Sequence, residues 1–175
     1  EFGLVTPNGR SEVRSIDPYE MPDNVIKWFS VNVNTNHPRI ESLPIGIENQ
    51  MWCEKARKKE IMLHKLSKPI KYKNLLYINH NMGTNVKQRQ ESYDLFKDKA
   101  WATAELGHNG LNFEGYIDNI YSHRFMISPQ GNGMDTHRTW ECLYMGCIPI
   151  EKRNENNKYH TDLPICFVND WSEIT

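Results

Sequence analysis

The residues best suited to chemistry fall in one run, Ser128–Ile150, SPQGNGMDTHRTWECLYMGCIPI. The apolar segment FMIS ahead of it reads as a strand ending at Ser128. A turn carrying Gly131 and Gly133 follows, and a helix opens at Asp135. Glycines at these positions leave room for a ligand or another backbone to come close. Asp135 suits an N-cap, accepting from first-turn amides. The free amides of a helix start attract phosphate, and an anionic cap partly offsets that attraction, so the alternative for Asp135 is a sugar hydroxyl. Arg138 and Glu141 are three residues apart in the first two turns. A guanidinium there can hold a diphosphate bidentately, and a carboxylate one turn on can accept from two ribose hydroxyls. The alternative is an ordinary helical Arg–Glu pair contributing only ~0.3–0.5 kcal/mol.

Elements on either side must position this run. Within it, Trp140, Leu143, Tyr144 and Cys147 repeat at helical spacing and predict the buried stripe, with Gly146 as the C′ glycine that closes the helix. Short apolar segments, Asn74–Ile78 (NLLYI), Phe125–Ser128 (FMIS), Cys147–Ile150 (CIPI) and Ile165–Val168 (ICFV), predict strands. They alternate with helices expected over 84–96, capped by Thr84, and over 116–123. The segment around Trp101–Ala104 is ambiguous. This alternation predicts an α/β fold with a mainly parallel, Rossmann-like sheet flanked by helices. Residues 68–175 form the expected Rossmann-like domain. Residues 1–67 are either the remnant of a second domain or an extension of the first. They hold apolar runs at 2–6, 25–31 and 40–47 between turn-rich stretches such as TPNG. Residues 53–67 read as an amphipathic helix, with Ile61, Leu63 or Met62, and Leu66 opposite a solvated lysine-rich face.

Composition bounds the class. The chain has 175 residues, a formal net charge of −1 and 11% aromatic residues, enough to fold around a core. Charge so close to zero gives no electrostatic reason to expect nucleic acid or an anionic membrane as partner. No apolar stretch approaches a membrane span, and no signal peptide is visible at EFGLVTPNGR, so the expectation leans to a cytoplasmic setting and otherwise leaves the compartment unknown. The four cysteines, Cys53, Cys142, Cys147 and Cys166, have neither CxxC nor zinc-type spacing and are expected as free thiols. Nothing in the sequence specifies an oligomeric state.

The glycine-rich turn invites comparison with the dinucleotide fingerprint GxGxxG. Gly131 and Gly133 match its first two glycines and Glu151 falls near the expected acidic position, but Thr136 stands where the third small residue belongs. A nicotinamide-dependent oxidoreductase is therefore the least favoured reading.

The run FMISPQGNGMDTHRTWECLYMGCIPI closely resembles the C-terminal, donor-binding half of exostosin-like glycosyltransferases of GT-B type. Their pattern of Ser-Pro-x-Gly-Asn-Gly-x-Asp-x-x-Arg-x-Trp-Glu followed by Gly-Cys-Ile-Pro is present at every position from Ser128 to Pro149. The segments at 37–48, 74–89 and 163–175 resemble neighbouring blocks of such proteins. The resemblance implies a metal-independent hexosyltransferase that moves a sugar from a nucleotide-sugar donor, its co-substrate, to a glycan acceptor. By the same resemblance Arg138 holds the diphosphate and Glu141 the ribose, and Gly131, Asn132 and Gly133 form the turn beside the diphosphate. Ser128 and Asp135 belong to the same block.

Arg89 is a candidate for a second positive charge; its alternative is a solvent-facing helical arginine. Asp135, His137 and His80 are weak candidates for a base, and no catalytic residue is assigned. Two complete GT-B domains need a longer chain. The expectation is therefore either a truncated piece or a minimal relative that binds a nucleotide or glycan without turning it over.

Overall fold

The structure is a computed structural model, described for residues 1–6, 21–48, 58–106 and 112–175. Most of the TPNG turn and the start of the helix expected at 53, with Cys53 and Lys55, lie outside the described residues.

Two parallel sheets organise the chain. The smaller contains β1 (Phe2–Thr6), β2 (Val25–Ser30) and β3 (Ile40–Ser42) in sequence order. Its core is Met21, Val25, Val33 and Ile40, with Leu4, Trp28 and Tyr159 packed against it. The third apolar run makes only a three-residue strand, because Pro44 and Gly46 (φ +69°) turn the chain away after Ser42.

The larger sheet holds β4 (Asn74–His80), β5 (Ala102–Leu106), β6 (His123–Ile127), β7 (Ile148–Lys152) and β8 (Cys166–Val168), all parallel, in the order β5-β4-β6-β7-β8. Among the described residues four helices accompany it: α1 (Lys58–Leu66), α2 (Val86–Phe96), α3 (Phe113–Tyr121) and α4 (His137–Tyr144). This is the α/β, Rossmann-like arrangement expected from the alternation of elements.

Strand side chains alternate between two cores, as the period of two requires. Leu76, Ile78, Ile127, Ile150 and Val168 face α2 together with Phe96 and the fully buried Trp171. Tyr77 and Met126 face the opposite layer, where Met62 of α1, Ile117 and Ile120 of α3 and Cys142 of α4 meet. Helix α1 thus packs into the larger sheet's core although it precedes residue 68.

Crossing from β4 to β5 the chain moves one way, with α2 on one face. Crossing from β5 to β6 it moves the other way, with α3 on the opposite face, as right-handed crossovers demand. The order therefore reverses between β4 and β6, and ligands of such sheets bind beyond the carboxyl ends of the strands at that reversal.

Several local expectations need correction. Helix α2 begins at Val86 and is capped by Asn85, whose side chain accepts from the Gln88 amide, so Thr84 is not the cap. In α1 the buried residues are Met62 and Lys58, whereas Leu63 and Leu66 are exposed. Lys58 leaves the solvated face because its ammonium pairs with Glu48 and lies 4.6 Å from the centre of the Phe113 ring. Among the described residues no helix is long and apolar enough to cross a membrane.

Candidate functional site

The loops that follow β4 and β6 meet at the point of strand-order reversal, and two arginines join them. Arg89, from the first turns of α2, is 5% exposed. Its Nε donates to the Gln130 carbonyl at 3.0 Å and its Nη1 to the Asn81 carbonyl at 2.5 Å, so one guanidinium ties both loops together. The solvent-facing alternative for Arg89 does not hold. Arg138, half-buried on α4, reaches across the reversal and donates from Nε to the Asn79 carbonyl at the end of β4, 3.0 Å away.

Neither guanidinium forms an ion pair with a carboxylate among the described residues. Burial, with the positive charge of Arg138 beside it, lowers the Arg89 pKa to about 10. Two guanidiniums near enough to repel each other, and without a carboxylate partner among the described residues, make the electrostatics of this point suited to an anion.

The glycines have a different purpose from the one their spacing suggests. A Cβ on Gly131 would lie 2.7 Å from Arg89 Nη2, and one on Gly133 would lie 2.6–2.8 Å from the Asn32 amide group. Side chains of the protein itself occupy the space that the glycines leave. Asn32 adopts a left-handed conformation (φ 55°), and its Oδ1 accepts from the Asp135 amide at 2.8 Å. Asn132 is the exposed tip of the turn.

Asp135 is not the helix cap. Helix α4 starts two residues later, at His137, with Thr136 at the N-cap and no side-chain cap bond. The Asp135 carboxylate is instead buried. Oδ2 accepts from the Ile45 amide at 2.8 Å and Oδ1 from the Trp140 indole at 2.8 Å. Burial raises its pKa against those two bonds. It is therefore unavailable to a sugar hydroxyl, and it does not close off the α4 amides as an N-cap would. Together with the Asn32 bond, this links the loops of the small sheet to the glycine turn. His137 Nδ1 bonds the Gly46 carbonyl (2.7 Å), tying the same loops to α4, and Asn156 Oδ1 accepts from the Val33 amide (2.9 Å), tying them to the segment after β7.

The buried face of α4 is Thr139, Trp140, Glu141 and Cys142. Tyr144, expected in the stripe, is 63% exposed. The helix is turned so that its polar residues point inward, because each has a buried partner. Glu141 Oε2 accepts from Tyr116 of α3 at 2.9 Å, and burial raises the Glu141 pKa. The Thr139 hydroxyl donates to Glu151, and Asn157 Nδ2 donates to the same carboxylate at 3.1 Å. Ser128 is buried in this chain, with its Oγ 2.9 Å from Thr139 Oγ1 and 3.1 Å from Thr136 Oγ1. It braces the turn rather than facing a ligand.

Burial holds Glu151 up at about 7. Buried and doubly bonded, Glu151 is not placed to receive a ribose as the acidic residue of a dinucleotide fingerprint would be.

Of the histidines, His80 is completely enclosed beneath α2. Its Nε2 bonds the Arg89 carbonyl at 3.0 Å while Nδ1 has no partner. Burial, then the charges of Arg138 and Arg89, lower its pKa to about 3, so it is neutral at pH 7. The sequence did not mark His80 as a neighbour of the arginines. The signal was its place at the end of the strand that precedes the reversal.

The chain matches no protein-family model and no curated protein. Among the described residues no three His, Cys, Asp or Glu side chains converge as a metal-ligand set.

Proposed function

We propose that this chain is the donor-binding part of an exostosin-like glycosyltransferase, taking a nucleotide-sugar and passing its sugar to a glycan acceptor. The observation that carries the reading is the pair Arg89 and Arg138, two guanidiniums without carboxylate partners among the described residues, at the reversal of the sheet beside a glycine turn. A diphosphate supplies the missing negative charge there. As the sugar leaves, charge builds on the diphosphate, and fixed cations with the uncapped α4 amides stabilise it without reorganising. In this reading Arg138 takes the diphosphate through the Nη groups that its bond to Asn79 leaves free. Glu141, buried and bonded to Tyr116, holds α4 in place, and Asn132 is the exposed residue of the turn.

A second reading, a module that binds the nucleotide without turnover, is favoured by one observation. Each carboxylate of this region, Asp135, Glu141 and Glu151, is buried and already bonded, and His80 is enclosed and neutral. The deciding experiment is release of nucleoside diphosphate from a panel of nucleotide-sugars, with and without oligosaccharide acceptors. Release supports the transferase. Tight binding without release supports the module.

A further inference from the structure

Two histidines of this region are sealed in the interior. His80 is enclosed beneath α2, and His160 packs edge-on against Trp140 with its Nε2 buried and unpartnered. His137 differs from both. It is the first residue of α4, immediately before Arg138, and it is only half-buried. Its Nδ1 lies 2.7 Å from the Gly46 carbonyl. A carbonyl can only accept, so the proton sits on Nδ1 and the neutral ring keeps its lone pair on Nε2. That Nε2 has no protein partner among the described residues, and it is not a buried orphan like the free nitrogens of His80 and His160.

Successive residues of a helix point about 100° apart. Arg138 turns to the end of β4, whereas His137 turns to the loop after β3. The ring therefore stands between the small sheet and the arginine pair, one residue from the cation that takes the diphosphate in the reading above. The carboxylates nearby are committed to other partners. Asp135 is held by the Ile45 amide and the Trp140 indole, Glu141 by Tyr116, and Glu151 by Thr139 and Asn157. An oriented imidazole with a free basic nitrogen is what proton removal from a hydroxyl requires.

We infer that His137 is the general base of the transfer, with Nε2 taking the proton of the incoming acceptor hydroxyl. This inference rests on the transferase reading. The acceptor oxygen bonds to the anomeric carbon as the bond from that carbon to the diphosphate oxygen breaks. The electron pair leaves with the diphosphate, where Arg138 and Arg89 stabilise it, and the imidazolium then gives its proton to water. The imidazolium forms beside Arg138, and Glu141, one turn along α4, offsets its charge. The displacement is direct, so configuration at the anomeric carbon inverts. The acceptor enters from the side of the small sheet, whose loop holds the ring.

Release of nucleoside diphosphate by the whole chain tests the role, with UDP-glucose, UDP-N-acetylglucosamine and GDP-mannose as donors and with water, lactose or chitobiose as acceptor. His137→Asn keeps a donor for Gly46 at the position of Nδ1 but has no basic nitrogen. It should lower kcat by on the order of 10²–10⁴-fold and leave uridine diphosphate affinity and melting temperature unchanged. His137→Ala loses the link and the base together, and added imidazole should return part of its rate. A side chain that only tied the loop to α4 would give no such return.

An asparagine variant with wild-type turnover, or one whose loss follows a weaker nucleotide affinity, overturns the role and leaves the arginine site standing. An alanine variant indifferent to imidazole does the same. No release by the wild type from any of these donors, with or without binding of uridine diphosphate, overturns the base and the transferase reading together.

Discussion

Replacing Glu151 by glutamine should make the protein more stable at pH 8 and leave it unchanged at pH 4. The carboxyl group is 6% exposed, and burial raises its pKa from 4.5 to about 7. A carboxyl group with a raised folded-state value binds its proton more tightly when folded. Its favourable contribution is therefore complete below pH 4.5 and lost as pH rises through 7. A difference of about 2.5 units corresponds to roughly 3 kcal/mol, or about 6–12 °C in melting temperature for a chain of this size.

Glutamine fits the same two partners. Its oxygen can accept from Asn157, and its amide can donate to Thr139, whose hydroxyl then turns to Ser128. The wild-type profile alone does not isolate the effect. His80, lowered to about 3, contributes the opposite trend, with stability lost as pH falls from 6.5 toward 3. Urea denaturation of both proteins from pH 4 to 8.5 gives the difference directly. It should be near zero at the acid end and rise between pH 4.5 and 7.5. A flat difference, or a glutamine variant that is less stable at pH 8, would show that Thr139 and Asn157 hold Glu151 ionised and would refute the reasoning.

Other outcomes follow from single contacts. Asn156→Ala leaves the Val33 amide and the Ser42 hydroxyl without their acceptor, which should cost about 1–3 kcal/mol and speed hydrogen exchange in β2 and β3. Gly131→Ala places a methyl 2.7 Å from Arg89 Nη2. Because that guanidinium is held by two carbonyls, the variant should lose about 1–3 kcal/mol of stability and weaken anion binding together, read by denaturation and by calorimetry. Tyr144→Ser, on the exposed side of α4, should change stability by no more than about 0.5 kcal/mol.

Much of the larger sheet was legible in the sequence because NLLYI, FMIS, CIPI and ICFV are short apolar runs whose neighbours carry helical spacing. Strand β5 was ambiguous: ATAEL is half-buried along its whole length at a sheet edge and shows no alternation. The buried face of α4 differs from the one its apolar spacing predicts. Apolar periodicity placed Tyr144 inside, whereas Glu141 and Thr139 are drawn in by Tyr116 and Glu151, partners on other elements. Asp135 sits where an N-cap belongs, but its ligands are Trp140 and an amide 90 residues upstream. For Arg89 the sequence leaves both a second positive charge and a solvent-facing arginine open, because nothing local shows that two loops offer carbonyls to it. Where the deciding contact was local, as at Gly146 (φ +72°) closing α4, the sequence was sufficient.

The most direct test of the arginine pair is calorimetric titration of the wild type and of Arg138→Ala with uridine and guanosine diphosphates, with Arg138→Lys as the control for charge. Loss of charge-assisted hydrogen bonds to a diphosphate, at about 1.5–3 kcal/mol each, predicts at least a tenfold weaker affinity for alanine and partial recovery with lysine, which keeps the charge but not the fork. No binding of either nucleotide by the wild type at millimolar concentration, or equal affinity in all three proteins, would contradict the account.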